Sequence, residues 1–112
     1  GVMFERIASP QVWGDVVLIR KDCPASYHLA VVLDDAVQNI THVVRGCDLE
    51  PATDLHRLLQ ALFDLPSPVY CHHRLLRDED GHKLAKSKLS KPLRHWRAEG
   101  VTASEIRRLL GF

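Results

Sequence analysis

The 112-residue sequence predicts an α/β fold with parallel strands and a short C-terminal helical tail, on three observations. Short segments at 15–21, 40–46 and 69–76 read as strands, the first an apolar run with β-branched residues, as buried strands are. Between them lie two stretches whose apolar residues recur at helical spacing, and strands alternating with helices of about a dozen residues form β-α-β crossovers with parallel pairing. Past residue 87 the chain turns basic and is punctuated by a glycine and a helix cap. The organisation is therefore an α/β part over 1–87 and a small basic helical tail over 88–112.

Each element has its own warrant. "DVVLIRK", 15–21, is an apolar run with charged ends, expected as a strand buried on both faces. Pro24 breaks the chain and Ser26 is placed to cap a helix. In that helix Leu29, Val32, Leu33, Ala36 and Val37 fall at i, i+3, i+4, i+7 and i+8, and Asn39 is suited to the left-handed residue that closes it. "ITHVVRG", 40–46, reads as the next strand. In 52–66, Leu55, Leu58, Leu59, Leu62 and Phe63 repeat the helical spacing behind Thr53 or Asp54 as cap, and Pro66 prevents continuation. "VYCHHRLL", 69–76, is the third strand. Gly81 marks a tight turn among Asp78, Glu79 and Asp80. "KPLRHWRAEG" is a short basic helix stopped at Gly100, and Thr102 with Glu105 forms a capping box for the last helix.

The formal net charge of +1 conceals an asymmetry. Residues 1–82 hold seven Lys or Arg against twelve Asp or Glu, whereas residues 83–112 hold eight against two. Such a segregated basic segment suits contact with a polyanion, because charge distribution steers a phosphate-bearing partner. The three cysteines, Cys23, Cys47 and Cys71, form no C-x-x-C pair, which argues against a zinc knuckle or a disulfide framework and fits a reducing compartment. With no apolar stretch of about 18 residues and no cationic leader, a cytoplasmic location is expected.

Glycine-based phosphate motifs are absent: neither G-x-x-x-x-G-K-[ST] nor G-x-G-x-x-G occurs. The acidic turn fails as an EF-hand, since placing Asp78, Asp80 and Gly81 at loop positions 3, 5 and 6 puts Leu76 at position 1 and Ser87 at position 12. No metal ligand set is expected. "KLAKS" is either a solvated lysine-rich loop or a loop that aims Lys83 and Lys86 at one polyphosphate. Arg45 ends a strand just before Gly46, where it either pairs with Asp48 or Asp35 or receives a carboxylate ligand. Tyr27 at the start of the first helix is either a half-buried aromatic or a substrate contact. His72 and His73 are adjacent on a strand and point to opposite faces.

Three pieces in order, "SYHLAVVLDDA", "ITHVVRGCDL" with Thr53 downstream, and "DGHKLAKS", resemble the second half of the catalytic domain of class I glutamyl-type aminoacyl-tRNA synthetases, a Rossmann-like fold. The resemblance covers about two thirds of the chain. It implies that Tyr27 and Arg45 hold the substrate glutamate, Arg45 at the carboxylate, and that Lys83 and Lys86 belong to the signature lysine loop. Lys86 is then the residue that approaches the ATP phosphates, with magnesium accompanying ATP and no zinc in this segment. Ala85 departs from the serine common in that loop.

Because only 25 residues follow Ser87, the chain looks more like the shortened branch of the family that attaches glutamate to queuosine of tRNA(Asp). The family's H-x-G-H-type ATP motif, a second glutamate-binding arginine and a zinc-binding insertion precede the matched region, and the sequence holds none of them. The expectation is half an active site, inactive alone, with an exposed sheet edge that favours self-association. The other reading is a noncatalytic synthetase-like fragment that binds tRNA or a protein partner through its basic tail.

Overall fold

The computed structural model describes residues 3–84 and 90–112. They fall into two compact units, Gly1–Arg74 and Leu75–Phe112. The first unit is built on helix α1, Tyr27–Val37, strand β1, His42–Gly46, helix α2, Glu50–Leu62, and strand β2, Val69–His73. The two strands pair in parallel with Val43 opposite Tyr70 and Arg45 opposite His72. This is the expected α/β class, with α2 as the crossover.

Helix α1 begins and ends as its sequence dictates. Ser26 accepts a hydrogen bond from the Leu29 backbone N–H at 3.2 Å, satisfying a donor that has no partner within the helix. Asn39 closes it at φ 56°, in the left-handed region its short side chain tolerates.

Helix α2 corrects two expectations. It starts at Glu50, with Pro51 in its first turn, so Thr53 and Asp54 are helical residues and cap nothing. Asp54 instead accepts a 2.6 Å bond from Arg6, tying the N-terminal segment to the helix. The buried stripe is also rotated from the one expected: Ala52, Leu55, His56, Leu59 and Gln60 are buried, while Leu58, Leu62 and Phe63 are exposed. With Leu29 and Val32 of α1, three of those residues, Ala52, Leu55 and Leu59, form the apolar core. Each buried Leu contributes on the order of 1.5–3 kcal/mol relative to an exposed one.

The strand expected over 15–21 does not form. No other described segment pairs with it in a ladder, and its backbone turns to local bonds: Ser26 N–H to Leu18 C=O at 2.8 Å and Arg20 N–H to Cys23 C=O at 3.0 Å. Val17 and Ile19 are each 65% exposed as a result. Hydrophobicity selects extended backbone, but a ladder needs a neighbour.

In the second unit, Arg77 and Lys83 form an isolated antiparallel bridge around the turn at Gly81, whose φ of 81° suits glycine. Helix α3, Leu93–Ala98, is followed by Gly100, and helix α4, Ala103–Leu110, carries the expected capping box between Thr102 and Glu105. No helix among the described residues is long and apolar enough to cross a membrane.

Candidate active site

The C-terminal end of β1 delivers Arg45 into the space under the helices, where it is only 8% exposed. All three guanidinium nitrogens are engaged. Nε donates to His72 Nε2 at 3.2 Å, one terminal nitrogen donates to Thr53 Oγ1 at 2.6 Å, and the other donates to His56 Nδ1 at 3.1 Å. Its guanidinium carbon also lies 4.9 Å from the centre of the Tyr70 ring, a cation-π arrangement. Tyr70 accepts in turn from the Gln60 side-chain amide at 2.8 Å. Helix α2 thus supplies Thr53, His56 and Gln60 from one face, and the parallel register puts His72 directly beside Arg45.

These hydrogen-bond partners are uncharged, which is unusual for so buried a cation. Arginine has five N–H donors and no acceptor. With each nitrogen giving one bond to the groups named, a donor remains on each terminal nitrogen, the number a carboxylate takes in a bidentate pair.

Tyr27 joins the same cluster. As the first residue of α1 it is 49% exposed, and its ring lies 5.6 Å from that of His28 and 5.8 Å from that of His56. His28 Nδ1 and His56 Nε2 are 2.9 Å apart. A continuous path of contacts therefore runs from Tyr27 through His56 to Arg45, all within the first unit. Burial first, and then the field of Arg45, lowers the pKa of His28, His56 and His72; His56 falls to about 4. Burial raises the pKa of Asp35, and Arg45 partly reverses that.

Of the four residues singled out from the sequence, the structure brings Tyr27 and Arg45 together. Lys83 belongs to the second unit, exposed beside the Gly81 turn, and Lys86 lies outside the described residues. Sequence reasoning missed His28 and His56 and assigned Thr53 to capping. One signal was legible: His56 sits at i+4 from Ala52 and i+1 from Leu55, inside a possible inward stripe of α2. His73 behaves as expected, turned away from His72 and bonded to the Arg74 carbonyl.

The three cysteines are free and exposed. Among the described residues, Asp78, Asp80 and His82 bring one possible ligand atom each within 4.8 Å of the others, all in the exposed turn. Asp78 already accepts there from the His82 backbone N–H at 2.7 Å.

The comparison with known families decides the class. Residues 2–111 match the model for tRNA synthetases class I (E and Q), catalytic domain. The chain belongs to that family. Glutamyl-Q tRNA(Asp) synthetase of Rhodobacter capsulatus is 55% identical over 98 residues, covering 88% of this chain and 35% of that protein. The Pseudomonas syringae pv. tomato protein of the same name is 51% identical over 80 residues, 71% of this chain and 27% of its own length. Among solved structures, glutamate-tRNA synthetase from Elizabethkingia anophelis superimposes with a TM-score of 0.58 at 36% identity, covering 70% of this chain and 17% of that one. This class I synthetase chain therefore spans about a third or less of the length of those relatives, and the Arg45 cluster is read as part of a synthetase catalytic domain.

Proposed function

We propose that this chain supplies one side of the active site of an ATP-dependent ligase that activates glutamate and transfers it to queuosine of tRNA(Asp). In this reading Arg45 receives a glutamate carboxylate and Tyr27 flanks it. A carboxylate oxygen of glutamate attacks the α-phosphorus of ATP, pyrophosphate leaves, and glutamyl-adenylate forms. Lys83 and Lys86 offset the charge on the phosphates, Lys86 the nearer to them, and ATP arrives as its magnesium complex. Acceptor specificity is carried over from the names of the two relatives described above.

The observation that carries this reading is the buried guanidinium whose hydrogen-bond partners are a hydroxyl and two imidazoles. A group desolvated in that way gains most from an incoming anion. These 112 residues alone are expected to give no pyrophosphate exchange with glutamate and ATP, and their open sheet edge is expected to promote self-association.

Titration with a nonhydrolysable glutamyl-adenylate analogue tests the assignment. Weak binding that Arg45→Lys reduces at least tenfold supports it, because lysine cannot make the bidentate pair. Binding unaffected by that substitution sinks it. Binding of tRNA with no response to the analogue would favour a noncatalytic RNA-binding module.

A further inference from the structure

We infer that Thr53, His56 and His72, with His28 behind them, form a relay of uncharged groups that positions the Arg45 guanidinium, and that His56 is the member on which the orientation depends. This rests on the reading of Arg45 as the carboxylate holder, and it adds a role for residues that touch no substrate.

Proton direction follows from chemistry. Arginine only donates, so His56 Nδ1, 3.1 Å from an Arg45 terminal nitrogen, must carry a lone pair. In a neutral ring the proton then sits on Nε2, which donates to His28 Nδ1 at 2.9 Å. His28 in turn must hold its own proton on Nε2. On the other side, His72 Nε2 accepts from Arg45 Nε and is therefore unprotonated. Thr53 Oγ1 accepts from Arg45 at 2.6 Å and lies 3.2 Å from His72 Nε2, so a hydroxyl hydrogen turned toward that nitrogen shares with Arg45 Nε–H its one lone pair. One cation thus fixes the tautomers of three imidazoles and the rotor of one hydroxyl.

The arrangement works in one protonation state only. Adding a proton to His56 Nδ1 would remove the acceptor and set a second cation against Arg45. His56 is 1% exposed, so water cannot replace the lost partner. The ionisable groups shown around it are Arg45 from β1 and Tyr27 and His28 from α1; none of these is a carboxylate that would stabilise a charged ring. Lowered proton affinity at all three histidines agrees with the geometry. His56 is accordingly a positioning residue, not a catalytic one.

Long-range nitrogen–proton correlation spectra of the 15N-labelled 112-residue chain at pH 7 test this without any ligand. The expected result is His56 and His28 protonated on Nε2, His72 protonated on Nδ1, and a slowly exchanging Arg45 Nε–H signal. His56→Asn keeps an acceptor near the Nδ1 position and should preserve the Arg45 signal, whereas His56→Leu should broaden or lose it. Affinity for the glutamyl-adenylate analogue should fall at least tenfold in His56→Leu and no more than threefold in His56→Asn. If His56→Leu fails to fold, Thr53→Val read by the same Arg45 signal takes its place. A proton on His56 Nδ1 at pH 7, or an Arg45 signal unchanged in a folded His56→Leu (or, should that variant not fold, in Thr53→Val), would overturn the relay. The predicted tautomers and variant responses without any analogue binding would instead uphold the relay and refute the glutamate reading.

Discussion

The two units of this chain hold their structure by different means. Unit Gly1–Arg74 has a core of residues far apart in sequence, Leu29 and Val32 against Ala52, Leu55 and Leu59, beside a polar cluster joining positions 27 to 72. In unit Leu75–Phe112 no described residue is buried, and local bonds recur among the described residues: the Thr102–Glu105 box, the Asp78–His82 turn, and Lys91 held by Glu99 and by the Trp96 ring at 4.2 Å. A site that must hold a buried cation is found where distant contacts accumulate. A segment kept in shape by caps and turns suits contact with an extended polyanion, which needs charge more than a cavity.

The largest effect should come from breaking the distant contacts. Leu59→Ala removes a 3% exposed core side chain and is expected to cost about 2–5 kcal/mol, a large share of the stability of a small unit. Urea denaturation followed by near-ultraviolet absorbance or circular dichroism of Tyr27 and Tyr70 would show it. A loss under about 1 kcal/mol would mean that the core is not what stabilises this unit.

Acid should act nearly as strongly and on the same unit. His56 has its pKa lowered from 6.5 to about 4 by folding, so above pH 6.5 both folded and unfolded chains hold it neutral and it contributes no pH dependence. As pH falls from 6.5 towards 4, the unfolded chain takes up a proton that the folded one refuses, and stability declines by about 3 kcal/mol in total. His28 and His72 shift in the same direction and steepen the decline. Denaturation midpoints measured at half-unit pH steps check it, and a flat profile between pH 7 and 5 would contradict the neutral cluster. His56→Asn should flatten the curve.

Smaller effects belong to the second unit. Thr102→Ala deletes the hydroxyl that accepts from the Glu105 N–H at 3.2 Å, and α4 should lose about 1 kcal/mol. Faster amide exchange confined to α4 is the expected readout, with the first unit's exchange unchanged. Glu105 reinforces the box by accepting from the Thr102 backbone N–H at 2.7 Å, and that bond holds its carboxyl below the usual pKa. Lys91→Ala should cost a few tenths of a kcal/mol to at most about 1, since its partners are exposed.

What could be read from the sequence was whatever a short window decides. Ser26 and Asn39 bracket α1 as their chemistry requires, the Thr102–Glu105 box was visible four residues wide, and strand–helix alternation implied parallel pairing. Where local rules compete, the longer-range contact won. Thr53 is an excellent cap by type, but Pro51 starts the helix earlier and Arg45 claims the hydroxyl. Leu58, Leu62 and Phe63 carry the more apolar stripe of α2, yet the helix turns His56 and Gln60 inward because Arg45 and Tyr70 need polar partners there. The histidines at 28, 56 and 72 share no local pattern; only the fold brings them to one cation. Residues 15–21 failed for the converse reason, since their apolar pattern was legible but a pairing neighbour cannot be seen in a strand's own sequence.

The pairing of β1 with β2 has a consequence for how the site comes into being. Side chains alternate along a strand, so sliding the pairing by one residue would turn Arg45 outward and bring Val44, now 69% exposed, into its place. No half-formed version of the cluster exists between these two registers. The correct one is rewarded by every bond to the guanidinium at once, so the Arg45 cluster and the strand alignment are selected in a single step.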